Sequence, residues 1–298
     1  MVSLKHRLLG LYFRLNNPDL KVTEPAEFRA LRIQRQGEAP TGPPPGIEDR
    51  VALSHWDEGG MQVDVLAPLN SAPARTVFYL HGGGYVSKAV PQHWRYAESL
   101  VHELDARVVM PDYPIAPEHS WRDAHPPVLA AYRRVAAEGG DLTLLGDSAG
   151  AGFAVALAQQ IVAEVTRTPD RLVVFAVWMD IAMQTGTPPR DAMLSTDFLR
   201  LCGDLWTDGD DPKLPQLSPI HGSFDGLPPI LSICGTKDVQ LPQARALTEA
   251  AQAAGVDVTY LEERGLMHDY PILNIPEARR ALRQVASFVR GEPVKASR

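Results

Sequence analysis

From residue 76 onward the chain is punctuated by short apolar runs, at 76–80, 107–110, 142–145, 172–178, 230–234 and 256–261. Each is long enough for a strand and too short for a core helix. Most are separated by stretches in which apolar residues return every three or four positions, at 92–104, 123–137, 149–166 and 241–254, with 278–290 closing the series. That period marks one face of a helix. Strand alternating with helix predicts an α/β protein whose parallel sheet is covered on both faces. Upstream, residues 51–56 and 61–66 alternate polar and apolar side chains around Asp57-Glu58-Gly59-Gly60, the pattern of a β-hairpin. The hairpin is expected at the antiparallel edge of the sheet and brings the strand count to eight.

Two stretches break the rhythm. Residues 1–17 place Leu8, Leu9, Leu11, Tyr12 and Phe13 beside Lys5, His6, Arg7 and Arg14, with no small-residue cleavage site after them. This is not the pattern of a secretory signal. It predicts an amphipathic helix that covers part of the core rather than lying on a membrane. A second helix is expected at 24–35, followed by a linker at 39–46, Ala-Pro-Thr-Gly-Pro-Pro-Pro-Gly. No apolar run approaches membrane-spanning length, so stable membrane insertion is not expected. Residues 181–219 form a long connection rich in Pro and Asp that carries Phe198, Leu201 and Trp206. A long insertion at a strand's carboxyl end usually covers a site.

At 298 residues and 45% apolar content the chain can bury one large core. A net charge of −7 without a basic cluster argues against nucleic acid as a partner. Cys202 and Cys234 form no zinc or redox spacing. They point to a reduced interior and a cytoplasmic protein.

The candidate chemistry centres on Gly146-Asp147-Ser148-Ala149-Gly150, where an apolar run ends and a helical pattern begins. A serine on a sharp strand-to-helix turn needs glycine two residues to either side, because nothing larger fits. The strain exposes its Oγ, and the helix N-terminus behind it favours developing negative charge. His81-Gly82-Gly83-Gly84 follows another strand end, and successive glycines let backbone N–H groups face a cavity. Gly82, Gly83 and Ala149 are therefore the expected oxyanion-hole donors, each worth ~3 to 4 kcal/mol of barrier.

Ser148 needs a base. In a strand-elbow-helix fold with chain order Ser, then Asp or Glu, then His, only His221 and His268 qualify, and His268 lies after the last strand in a loop that could reach back. The orienting acid is expected beyond the preceding strand, at Asp238, with Asp180 and, more weakly, Asp269 as rivals. A histidine base with unperturbed surroundings would give activity that falls on the acid side near pH ~6.5.

Together, His81-Gly82-Gly83-Gly84, Gly146-Asp147-Ser148-Ala149-Gly150, Asp112-Tyr113 with Ala116-Pro117-Glu118-His119, and Gly265-Leu266-Met267-His268 resemble the bacterial hormone-sensitive-lipase-like esterases of the α/β-hydrolase superfamily. The resemblance runs from about residue 63 to 290 and is specific. It departs where Pro114 and Ile115 replace an Arg-Leu pair and where Val239-Gln240-Leu241 replaces Asp-Pro-Leu.

The resemblance implies an α/β-hydrolase fold in which residues 1–46 supply cap helices and a linker. Residues 47–298 would form the catalytic domain, with a cap insertion at 181–219. It also implies a Ser148–Asp238–His268 triad and hydrolysis of short- to medium-chain carboxylic esters without cofactor or metal. The expected partner is a small ester, and a homodimer is compatible with the sequence. Two alternatives stay open from sequence: an amidase or peptidase on the same scaffold, and a non-catalytic relative that binds a small ligand.

Overall fold

In the computed structural model residues 2–16, 24–38 and 42–295 are described. Asn17 and residues 39–41 of the expected linker lie outside them. The eight strands are β1 (Ala52–Glu58), β2 (Met61–Ala67), β3 (Arg75–Leu80), β4 (Ala106–Pro111), β5 (Asp141–Asp147), β6 (Arg171–Phe175), β7 (Ile230–Gly235) and β8 (Val258–Glu263). They form a single sheet in the order β1-β2-β4-β3-β5-β6-β7-β8. The β1–β2 hairpin is antiparallel and joins β4 antiparallel; all other neighbours run parallel. The hairpin thus occupies the antiparallel edge.

The helices are α1 (Leu4–Asn16), α2 (Pro25–Glu38), α3 (Pro91–Leu104), α4 (Trp121–Ala137), α5 (Ser148–Ala163), α6 (Thr196–Thr207), α7 (Leu241–Ala253) and α8 (Pro276–Val289). Two apolar clusters sandwich the sheet. One packs α4, α5 and α7 against it, the other α3 and α8. Strands buried on both sides read as near-continuous apolar runs, which is why β5, with every residue after Asp141 buried, stood out in the sequence.

Most element ends fall within a few residues of the periodic pattern. The clearest exception is β6, which stops at Phe175 instead of 178. Ala176 takes a left-handed φ of 45°, and the Trp178 N–H donates to the Ser148 carbonyl at 3.2 Å. The chain therefore leaves the sheet to close over the start of α5. Proline at the first turns of α3, α7 and α8 presets the helical φ and removes a donor with no partner there.

The 181–219 insertion holds α6, which pairs with α2 through an edge-to-face contact of Phe28 and Phe198 with ring centroids 5.6 Å apart. Arg32 lies over both rings. Gln36 of α2 donates to the carbonyls of Val86 and Ala116. This fixes α2 to the chain just after the glycine run. By contrast α1 lies beside Met267 and Glu277 and covers the core only in part. Leu9 and Phe13 pack inward, while Leu4, Leu8, Leu11, Tyr12 and Leu15 face solvent. Among the described residues no helix is long and apolar enough to cross a membrane.

Candidate active site

Every sequence-predicted site residue lies at the carboxyl end of a parallel strand. β3 and β5 pair in register to Leu80 and Gly146, so the glycine run and the serine turn emerge side by side. Ser148 has φ of 52°, a left-handed value that costs a non-glycine residue about 1–3 kcal/mol. The turn is sterically locked. A Cβ on Gly146 would lie 2.3 Å from the Gly150 carbonyl oxygen, and one on Gly150 would lie 2.1 Å from that of Leu80.

His268, on the loop after β8, hydrogen-bonds with Ser148 Oγ through Nε2 and with Asp238 Oδ1 through Nδ1, both at 2.9 Å. Asp238, beyond β7, also accepts the Gln240 N–H at 2.9 Å. All three side chains are buried. The rivals fall elsewhere. His221 is exposed on a 3-10 turn. Asp180 closes its own turn, accepting the N–H groups of Ala182, Gln184 and Thr185 and the Thr185 hydroxyl.

Asp269 does reach His268, but on the other nitrogen, with Oδ2 3.2 Å from Nε2. With Nδ1–H committed to Asp238, a neutral His268 presents a lone pair at Nε2. That lone pair suits the Ser148 hydroxyl and repels an ionised Asp269. Burial pushes the Asp269 carboxyl up, to about 7, a rise that proximity to His268 only partly offsets. Burial alone would lower His268, yet the charges of Asp238 and Asp269 hold it well above the ordinary histidine range. The surroundings are therefore not those of an unperturbed histidine, for which a midpoint near ~6.5 is expected: two carboxylates flank the ring and both favour its charged form.

The glycine run also requires a correction. The Gly82 N–H donates to Asp147 Oδ2 at 3.0 Å, so it is not free to meet an oxyanion. Asp147 is fully buried and accepts two further bonds, from the Tyr79 hydroxyl at 2.6 Å and from His93 Nε2 at 3.2 Å. His93 Nδ1 takes the Val90 N–H, so Nε2 carries its proton. Burial works against the Asp147 charge, but His93 and Tyr79 outweigh it and hold the carboxyl below its usual range. The N–H groups of Gly83, Gly84 and Ala149 have no acceptor among the described residues. Gly83 and Gly84 have φ of 125° and 62°, and a Cβ at Gly83 would lie 2.6 Å from the Ser87 carbonyl oxygen. Beside them Tyr85 stacks on Trp206 at 4.4 Å and its hydroxyl donates to the Ala149 carbonyl.

Asp191, in the insertion, is a residue the sequence did not single out. Its Oδ2 accepts the N–H groups of both Val239 and His268, at 3.2 and 3.1 Å, and its Oδ1 that of Met193 at 2.6 Å. One carboxylate therefore ties the insertion to the loops that carry Asp238 and His268. Burial, followed by the nearby Asp238 charge, raises its pKa. Asp191, Asp238 and His268 are the only group among the described residues whose ligand atoms lie close enough, within 4.8 Å, for a shared cation. Asp191 Oδ2, Asp238 Oδ1 and His268 Nδ1 are already engaged in hydrogen bonds.

The chain matches the alpha/beta hydrolase fold family over residues 77–272. It belongs to that family. It is 33% identical to an acetyl-hydrolase of Streptomyces hygroscopicus over 99% of its own length and 98% of that protein's. An esterase of Acinetobacter venetianus is 28% identical over 73% of this chain and 75% of that protein. A solved esterase from the bacterial hormone-sensitive lipase family superposes with a TM-score of 0.81 and 25% identity, covering 98% of this chain and 99% of that one. Within the α/β-hydrolases the chain is an esterase of the hormone-sensitive-lipase-like group.

Proposed function

We propose that the protein is a carboxylesterase that hydrolyses short- to medium-chain acyl esters through a serine acyl-enzyme. The observation that carries this is the His268 ring, set between Ser148 Oγ and Asp238 Oδ1 at 2.9 Å to each. Ser148 Oγ attacks the ester carbonyl carbon as its proton passes to His268 Nε2. Asp238 stabilises the imidazolium through Nδ1–H without taking the proton. The carbonyl oxygen, now an alkoxide, meets the N–H groups of Gly83, Gly84 and Ala149. Asp147 holds the glycine run in that orientation by gripping Gly82. Collapse breaks the ester bond, and the alcohol leaves with the Nε2 proton. Water then repeats the sequence on the acyl-enzyme, releasing the acid and restoring Ser148.

The preference for modest acyl chains is supported by the acetyl-hydrolase relative and by the burial of Ser148, only 3% exposed. A panel of soluble esters differing only in acyl length tests it, with Ser148→Ala as control. kcat/KM should rise by about fourfold per methylene, from ~0.8 kcal/mol each, and then fall beyond roughly eight carbons. Preference for long-chain emulsions over soluble esters would overturn the chain-length assignment. Faster cleavage of matched amides than of esters would overturn the reaction class.

A further inference from the structure

We propose that α1 docks the protein on an anionic phospholipid surface. Leu4, Leu8, Leu11 and Leu15 recur at helical spacing on one face, with Tyr12 beside them, and each is 53 to 70% exposed. These are five of the nine large apolar side chains exposed among the described residues, gathered on one thirteen-residue helix. The helix is not loosely held. The Ser3 N–H and hydroxyl donate to Glu277 at 2.6 and 2.9 Å, and His6 Nε2 accepts the Met267 N–H at 3.2 Å. Leu9 and Phe13 anchor its opposite face. The leucine stripe therefore points outward while the rest of the helix is fixed.

Charge selects the partner. The chain as a whole carries 36 acidic against 29 basic residues, yet α1 contains no acidic residue. Lys5 and Arg95 line a groove of about 420 Å³ on one side of the stripe. Arg7, Arg14, Arg190 and Lys237 line one of about 400 Å³ on the other. Neither lining includes a carboxylate, and none of these six cations has an ion-pair partner among the described residues. An apolar stripe bordered by cations is the pattern of a helix lying in a bilayer interface, its leucines among the acyl chains and its cations at the phosphates.

The test is flotation of the full-length protein with vesicles of phosphatidylcholine, with and without phosphatidylglycerol, at low and physiological salt. Binding should require the anionic lipid and weaken with salt. Arg7→Gln with Arg14→Gln should lower the partition by about fivefold per charge. Leu4→Ser with Leu8→Ser and Leu15→Ser should lower it on the order of a hundredfold. Both variants should keep the wild-type melting temperature and the wild-type rate on a soluble short ester, which separates docking from folding and from the chemistry at Ser148. Three results would overturn the proposal: no vesicle binding by the wild type; binding that survives the leucine substitutions; or displacement by glycerol phosphate at concentrations matching the lipid headgroups, which would make the groove a free-phosphate site. A dimer that the leucine substitutions dissolve, with no vesicle binding, would assign the stripe to a second copy instead.

Discussion

Replacing Asp269 with asparagine should shift the pH dependence of the reaction toward acid. Asp269 lies 3.2 Å from His268 Nε2, the nitrogen that must be unprotonated to accept the Ser148 proton. His268 is held above its ordinary range, so activity is present above the raised value and is lost as pH falls through it. A full charge about 4 Å away is worth ~4 kcal/mol at an effective dielectric of ~20, and ~1.36 kcal/mol moves a pKa by one unit. Asp269 is itself pushed up to about 7, so it carries only part of that charge near neutrality. Its removal should therefore lower the acid limb of kcat/KM by about one to two pH units. Asparagine suits the site because residue 269 has a left-handed φ of 48°, which asparagine tolerates. The assay is the kcat/KM profile on a soluble short ester, read by a method independent of product ionisation. A limb that stays in place, or moves upward, would refute the electrostatic reasoning. An unchanged melting temperature would show that the shift is not a folding effect.

The same geometry sets further expectations. Asp238→Asn should lower kcat by as much as ~10⁴ with the fold intact, since the amide can leave His268 in the wrong tautomer. Asp180→Asn, which disturbs only a turn, should cost less than about tenfold; the reverse ranking would exchange the two roles. Asp191→Ala should strand buried N–H groups of Val239 and His268, at about 1–3 kcal/mol each. The consequence is a melting point lower by several degrees and a kcat reduced more than KM is raised. Asp191→Asn, which keeps one acceptor oxygen, should recover part of both, and equal losses in the two variants would contradict a positioning role.

The fold was largely legible because its strands are buried on both faces. Buried strands such as β5 and β7 are written as near-continuous apolar runs, broken only by a small hydroxyl residue at Thr143 and Ser232, and each is followed by a periodic helix. That Ser148, Asp238 and His268 come within hydrogen-bond reach of one another was legible because chain order and strand ends constrain where they fall. Three features were not. Which N–H of the glycine run is free depends on where the Asp147 carboxylate points, and no local pattern encodes that. Asp191 acts through backbone N–H groups of distant loops, from within an insertion that carries no periodic signal. Residues 1–17 display two apolar faces, one through Leu9 and Phe13 and one through Leu4, Leu8, Leu11 and Leu15. The pattern alone cannot tell which of the two the core will take. Only the tertiary contacts with Met267 and Glu277 decide it.

If Ser148 forms a covalent acyl-enzyme, a fluorophosphonate probe should react at the same oxygen. Intact-mass and peptide mass spectrometry should find one adduct, on Ser148, with esterase activity lost in proportion to labelling. The Ser148→Ala protein should be folded, unlabelled and inactive. Full esterase activity with Ser148 unlabelled, or retained by Ser148→Ala, would rule out Ser148 as the nucleophile.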